Sequence, residues 1–422
     1  MSIKKSKLFS ISLLLLILVI IIASYFYNNI PNGAIITNNK INTTSNTNTL
    51  TMMYETGPNT GEYQVSSDTT WPQEGYVFND RLSKCENGSE LSWDNENKRV
   101  IVSTSVSDKC YVYFDVYAPI FSDYIINDIY TEDGENGLYY HDGIGSYTNA
   151  SQEAGDNSYR YSGANPNNYV CFGSDEETCP NDNLYRIIGV FNGQVKLIKN
   201  DYTTSGMLGT DGRDYYGAYS SSTSNYRGNM NTSTIVAYRW NYDTSVSTYG
   251  SNNWTTSEFN TINLNTNYWN YLGSTWQNLI VETTWHLGGM TSYNNTAKEF
   301  YDGERNNAGY GSNPTTYTDE IGLMYPSDYG YAASPDAWTN DLFNYDNSTI
   351  TASNWMYMVL VEWTIIPRSS YSTGVFIVDG SGYLGTNDAS NGYAARPVFY
   401  LESNVALQGG TGTSSDPYRL AV

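Results

Sequence analysis

The sequence predicts an α+β fold for the larger, C-terminal part of the chain, behind a small all-β module and a single N-terminal transmembrane helix. Three observations carry this. Short runs of β-branched and aromatic residues bounded by turn formers recur from residue 90 onward, as in Arg99-Val100-Ile101-Val102-Ser103 and Glu362-Trp363-Thr364-Ile365-Ile366. Two helix-start patterns, Thr255-Thr256-Ser257-Glu258 and Ser274-Thr275-Trp276-Gln277, interrupt those runs. An uncharged apolar run covers residues 8–27.

Taken in order, Lys4, Lys5 and Lys7 precede that run. Twenty helical residues span about 30 Å, the thickness of a hydrocarbon core. The lysines place the N-terminus in the cytoplasm and the rest outside. A cleaved signal peptide would need a shorter apolar region and a small-x-small site, which Ala23-Ser24-Tyr25 fits poorly, so residues 1–27 are expected to stay as an anchor. Residues 28–50 are Asn- and Thr-rich and too polar to order themselves, so they read as a disordered stalk. Residues 51–118 read as a β-sandwich-like module. Its hairpin turns at Asp94-Asn95-Glu96-Asn97-Lys98, and Cys85 and Cys110 bracket it. Outside the cell these cysteines would oxidise, and the bridge would contribute on the order of 3 kcal/mol. Residues 119–156 read as a connector. Its His141, beside Gly143, reads as structural.

Residues 157–422 form the main domain. Four cysteines allow three pairings, and the local one joins Cys171 to Cys179 around an acidic surface loop. Two runs, 184–190 and 194–199, form a hairpin about Asn192-Gly193. Residues 201–253 are polar and read as a large loop or an insertion with a few strands. Trp276, Leu279 and Ile280 share one helix face and belong to a core, and His286 reads as structural. Residues 321–325 read as a strand leading into a Tyr- and Trp-dense loop, 326–338. Near the C-terminus, 362–366 and 394–401 are expected in one small antiparallel sheet with 374–379, closed by a long loop from 386 to 392. Arg396 lies in an apolar run, where a lone charge is costly, so a carboxylate partner is expected and Glu362 is the first candidate.

The Glu-Trp-Thr strand at 362–364, the Arg-Pro-Val-Phe-Tyr-Leu strand at 396–401 and the closing Gly-Thr-Gly-Thr-Ser-Ser-Asp-Pro-Tyr-Arg at 410–419 resemble an uncharacterised bacterial surface domain of unknown function. More distantly, that family is similar to the C-type-lectin-like fold shared with formylglycine-generating enzymes. The resemblance covers roughly 156–422 and implies that the first strand (184–190) and the last (396–401) share a sheet, bringing the domain ends together. It brings no activity. The related enzymes use cysteines in the C-terminal part of the fold, whereas every cysteine here precedes Pro180.

A net charge of −22 argues against nucleic acid, whose phosphates would be repelled. There is no zincin motif, nucleophile elbow or phosphate-binding loop, and Gly380-Ser381-Gly382-Tyr383-Leu384-Gly385 reads as a hairpin turn. No cofactor is expected. Calcium is undecided, since Ser334-Pro335-Asp336 and Trp338-Thr339-Asn340-Asp341 only approach the lectin triplets. Expected partners are the membrane and an extracellular glycan or protein. The expected function is non-catalytic binding or adhesion at the cell surface; a surface hydrolase using a carboxylate pair and a passive envelope component are the alternatives. The predicted ligand-binding residues are Asp328, Tyr329, Tyr331, Trp338, Asn354, Trp355, Arg368, Tyr371, Asp388 and Asn391, because aromatic faces beside polar side chains suit sugars and peptides.

Overall fold

Runs of β-branched and aromatic residues do become strands, gathered into several small sheets with few helices, so the architecture is α+β. The structure is a computed structural model that describes residues 49–58, 60–66, 71–72, 75–103, 108–144 and 149–422, with the backbone of Ala34–Ile35. The anchor expected at 1–27 and most of the stalk expected at 28–50 lie outside the described residues. Among the described residues no helix is long and apolar enough to cross a membrane. Two units divide the chain, Met1–Ala118 and Pro119–Val422.

In the first unit the strands are Ala34–Ile35 (β1), Thr49–Glu55 (β2), Tyr63–Val65 (β3), Tyr76–Phe78 (β4), Lys84–Cys85 (β5), Glu90–Asp94 (β6), Arg99–Ser103 (β7) and Lys109–Val116 (β8). β6 and β7 form the expected hairpin, with β1 on the far edge of β7. The stalk reading is corrected at its end, because Thr49 and Leu50 already pair with β8. The second sheet runs β3-β2-β8-β4, with β5 also on β8. Met52, Val100, Val102, Val112 and Phe114, drawn from both sheets, share one core with Trp71. Cys85 stands directly across from Cys110 and the two are bonded. Replacing both cysteines by alanine is expected to lower the stability of this unit by about 3 kcal/mol. Urea unfolding followed by tryptophan fluorescence reads this, and an unchanged midpoint would show that the bond contributes nothing.

In the second unit the chain runs through Leu138–His141 (β9), Ser158–Tyr161 (β10), Tyr169–Cys171 (β11), Leu184–Phe191 (β12) and Gln194–Lys199 (β13). Tyr215–Ala218 (β14), Val236–Arg239 (β15), Ile280–Val281 (β16), Thr283–His286 (β17) and Thr316–Asp319 (β18) follow. The last strands are Glu362–Pro367 (β19), Gly374–Val378 (β20), Leu384–Asp388 (β21), Gly392–Tyr393 (β22), Val398–Leu401 (β23), Leu407–Gly409 (β24) and Arg419–Leu420 (β25). The main sheet has the order β16-β23-β13-β12-β10-β9, and β11 pairs with the start of β12. β12 and β23 therefore share a sheet with β13 between them. The hairpin turn places Asn192 and Gly193 at φ 50° and 78°, the left-handed conformation that Asn and Gly tolerate. β12, β19 and β20 are buried along their whole length, which is why they read as continuous apolar runs. The second expected disulfide, Cys171–Cys179, is present.

Five expectations are corrected. Residues 119–156 are part of this unit, since β9 is a strand of the main sheet and the Phe121 amide donates to the Val405 carbonyl. Residues 398–401 do not pair with 362–366; β19 joins β20 and β21, and only an isolated bridge links Glu362 to Ala394. The expected loop from 386 to 392 begins inside a strand, because Leu384–Asp388 pairs along the whole of β20. Residues 321–325 make no strand beyond a bridge between Gly322 and Val398, where a side chain on Gly322 would strike the Trp285 indole at 2.7 Å. Neither capping box forms. Ser257 caps the helical stretch that follows by accepting from the Asn260 amide, while Glu258 is drawn to Arg213. The short helix Ser274–Gln277 has no side-chain cap, and Gln277 turns to the Trp269 carbonyl.

At the end of β13, Lys199 is buried and donates only to the Asp182 carbonyl oxygen, at 3.1 Å. Burial pushes its ammonium down to about 8, against the attraction of Asp182 and Asp201. The unfolded chain then holds more protons than the native one from about pH 8 up to the ordinary lysine range, so this group's penalty is relieved as pH rises through that window. Lys199→Met is expected to be more stable than the parent by roughly 1–3 kcal/mol at pH 7. The difference should shrink towards pH 10. Paired denaturation curves check this, and a difference independent of pH would refute it.

Candidate functional site

The Tyr- and Trp-dense segment read as a ligand face is core. It folds as a helix, Pro326–Tyr331, and a turn, Pro335–Ala337. Asp328, Tyr329, Tyr331 and Trp338 are at most 2% exposed. Their polar atoms are spent inside the chain: Tyr329 donates to the Gly382 carbonyl at 2.6 Å, Tyr331 to Gln152 at 2.8 Å, and the Trp338 indole to Ala333 at 3.0 Å. With those hydroxyls satisfied, the rings bury as ordinary apolar surface. His141 is also buried, packed on Tyr331 and Trp338, and accepts the Ala154 amide.

Four predicted residues reach the surface together. The turns after β19 and β21 meet because Gly374 pairs with Asp388. There the Arg368 guanidinium lies 4.6 Å from the centre of the exposed Tyr371 ring. Asp388 accepts the Thr373 hydroxyl at 2.7 Å and Asn391 donates to Asn387. Arg368 donates to the Thr291 carbonyl at 3.0 Å, so these polar groups are satisfied by neighbouring loops, and they line no cavity described below.

Asn354 and Trp355 lie elsewhere, at the floor of a groove. Asn354 donates to the Tyr329 carbonyl and accepts the Met356 amide, and Trp355 donates to the Tyr161 carbonyl, so the segment is held rigidly. Both line a chamber of about 260 Å³ together with Arg186 and Arg227. Arg227 and Tyr357 also line a second chamber of about 490 Å³, and Asn229 also lines a third of about 750 Å³. The three chambers adjoin through these shared residues and are taken together as one groove. Its lining is dominated by amides and hydroxyls, among them Ser222, Asn225, Asn231 and Thr234. Val359, on its wall, holds φ at 80°, a conformation β-branched residues rarely adopt.

A second polar centre lies under the main sheet. Lys196 of β13 meets Asp328 at 2.5 Å, and Asp328 also faces Arg160 of β10 at 3.8 Å. Arg160 pairs with Asp156 at 2.7 Å. Glu304 accepts the Ser327 amide and hydroxyl and pairs with Arg305 at 3.0 Å. Asp156, Arg305, Tyr301 and His286 open onto a cavity of about 280 Å³. Burial, aided by Arg305, holds His286 below its ordinary range. Burial pulls Lys196 downward while Asp328 opposes it. Each buried carboxylate here is matched by a cation, which suits a structural network better than a general base.

Arg186, Arg227, Arg160 and Lys196 were not among the predicted residues. The signal was present for three of them, since Arg160, Arg186 and Lys196 interrupt apolar strands just as Arg396 does. Among the described residues no group of three or more His, Cys, Asp or Glu side chains is arranged to hold a metal. No family model, no curated protein and no solved structure matches the chain.

Proposed function

We propose that this is a cell-surface ligand-binding or adhesion protein, tethered by residues 8–27 with 51–422 outside, whose groove receives an extracellular saccharide. The adjoining, amide- and hydroxyl-rich chambers over a hydrogen-bonded floor are the observation that carries this reading. Hydroxyl-bearing ligands need many convergent neutral donors and acceptors, and the groove supplies them. The left-handed Val359 on its wall supports it, because such strain persists where the surroundings enforce a site's geometry. Two disulfides support an oxidising, extracellular location. A C-type-lectin-like fold for 157–422 belongs to the same reading and is supported by the shared sheet of β12 and β23. The test is the full-length chain in detergent over a glycan and peptide array. Saccharide retention is expected, and Asn229→Trp, which fills the junction of two chambers, should abolish it. No retention, together with hydrolysis of a wall polymer, would replace this reading by the hydrolase.

A further inference from the structure

We infer that the middle chamber of the groove is a carboxylate site, and that the ligand is therefore an acidic saccharide. This rests on the groove being the ligand site. The chain carries 43 acidic residues, yet no Asp or Glu lines this chamber, while Arg186 and Arg227 both do. Arg186 is buried, and the other two buried arginines each sit on a carboxylate, Arg160 on Asp156 and Arg396 on Glu362, while Arg227 is exposed. Among the described residues neither Arg186 nor Arg227 forms an ion pair.

Arg186 is built as a receptor would be. Its guanidinium is held between the Tyr169 ring at 4.2 Å and the Trp355 ring at 4.5 Å. Nε donates to Asn168 Oδ1 at 2.7 Å and Nη2 to the Pro166 carbonyl at 3.1 Å, and among the described residues Nη1 makes no hydrogen bond. Burying a guanidinium without a counter-charge is unfavourable, and burial with the neighbouring Arg396 pulls Arg186 down to about 10. A bound carboxylate would relieve that. The exposed Arg227 lies over the Tyr357 ring at 4.6 Å and donates through Nη1 to the Thr351 carbonyl, and among the described residues its Nε and Nη2 make no hydrogen bond. Planar forks oriented in advance by ring stacking match carboxylates, and the rings they cover are not open for stacking on a neutral sugar.

The surroundings choose between acidic ligands. Asn165, Asn200, Asn229 and Ser414 also line the chamber, a neutral hydrogen-bonding set suited to hydroxyls, beside the apolar Ala164, Leu184 and Met358. The −22 charge of the whole chain disfavours densely charged polyanions, so single carboxylates spaced along a saccharide fit best.

The test is equilibrium binding to the full-length chain of galacturonate, glucuronate and mannuronate tetrasaccharides, each beside its neutral methyl ester. At least one acid should bind about tenfold tighter than its ester. Arg227→Gln should weaken acid binding far more than ester binding and so remove that preference, with an unaltered thermal unfolding midpoint as the control for folding. Arg186→Lys, which keeps the charge but loses the fork, should reduce the preference in part. Acid and ester bound equally, or both weakened alike by Arg227→Gln, would overturn the carboxylate site and leave the saccharide groove standing. An acidic hexapeptide bound tighter than every uronate would overturn the saccharide. Binding of no probe by a chain that retains neutral glycans overturns this inference, and by a chain that retains none, the groove as well.

Discussion

Asp328→Asn is expected to lower the stability of the large unit by about 3–5 kcal/mol, a large effect for a single conservative change. The side chain keeps its shape and loses its charge, and two cations depend on that charge. Lys196 is 2.5 Å away and Arg160 3.8 Å, both about 1% exposed. The same carboxylate accepts the Tyr325 amide at the start of the helix Pro326–Tyr331. Arg160 retains Asp156, but among the described residues Lys196 pairs with no second carboxylate; the rings of Phe191, Trp285, Tyr325 and Tyr400 surround it, and the cations Arg160 and Arg305 repel it. Asparagine therefore leaves an ammonium buried among aromatic faces. Lys196→Met in the same background should recover most of the loss, because removing both charges leaves nothing uncompensated. Chemical denaturation of the two singles and the double closes the cycle. A single variant within about 1 kcal/mol of the parent would show that water reaches Lys196 and that the network is not dry.

That network also shows what was legible in the sequence. A charge inside an apolar run demands a partner, and this reasoning found Glu362 for Arg396. Applied to Val195-Lys196-Leu197 and to Arg186 it would have marked a second pair and the floor of the groove. The turn at Asn192-Gly193 and both disulfides were legible because each is decided locally, by backbone conformation or by short spacing. What was not legible depended on distant competitors. Glu258 fits a capping box but answers to Arg213, 45 residues away. The strand Val398–Leu401 has the composition of a strand, and nothing in it specifies β13 and β16 as neighbours in place of β19. Residues 326–338 read as a surface loop because Tyr and Asp are polar in composition. Their hydroxyls and carboxylate are satisfied by backbone and cations far along the chain, which sequence spacing does not display. Arg227 sits in a polar stretch without periodicity, and only the folded groove brings it to Arg186.

Glu362→Gln is the second large effect, and it links stability to the groove. Arg396 grips Glu362 with two hydrogen bonds, Nε to Oε2 at 2.9 Å and Nη2 to Oε1 at 2.7 Å, and both side chains are about 1% exposed. The neutral amide leaves Arg396 uncompensated, at an expected cost of about 3–5 kcal/mol. Arg396 Nη2 also donates to the Met356 carbonyl at 2.7 Å, within the segment that sets Trp355 and Tyr357 against the two groove arginines. Loss of the pair should therefore reach the groove as well as the core. Glu362→Leu combined with Arg396→Met separates the two consequences. Two apolar side chains need no counter-charge, so stability should largely return, while the Met356 carbonyl stays without its donor and saccharide affinity stays weakened. Unfolding curves and array binding on the same two proteins decide it. If affinity returned together with stability, the ion pair would serve the core alone and the groove floor would be held by Asn354 and the Trp355 indole bond.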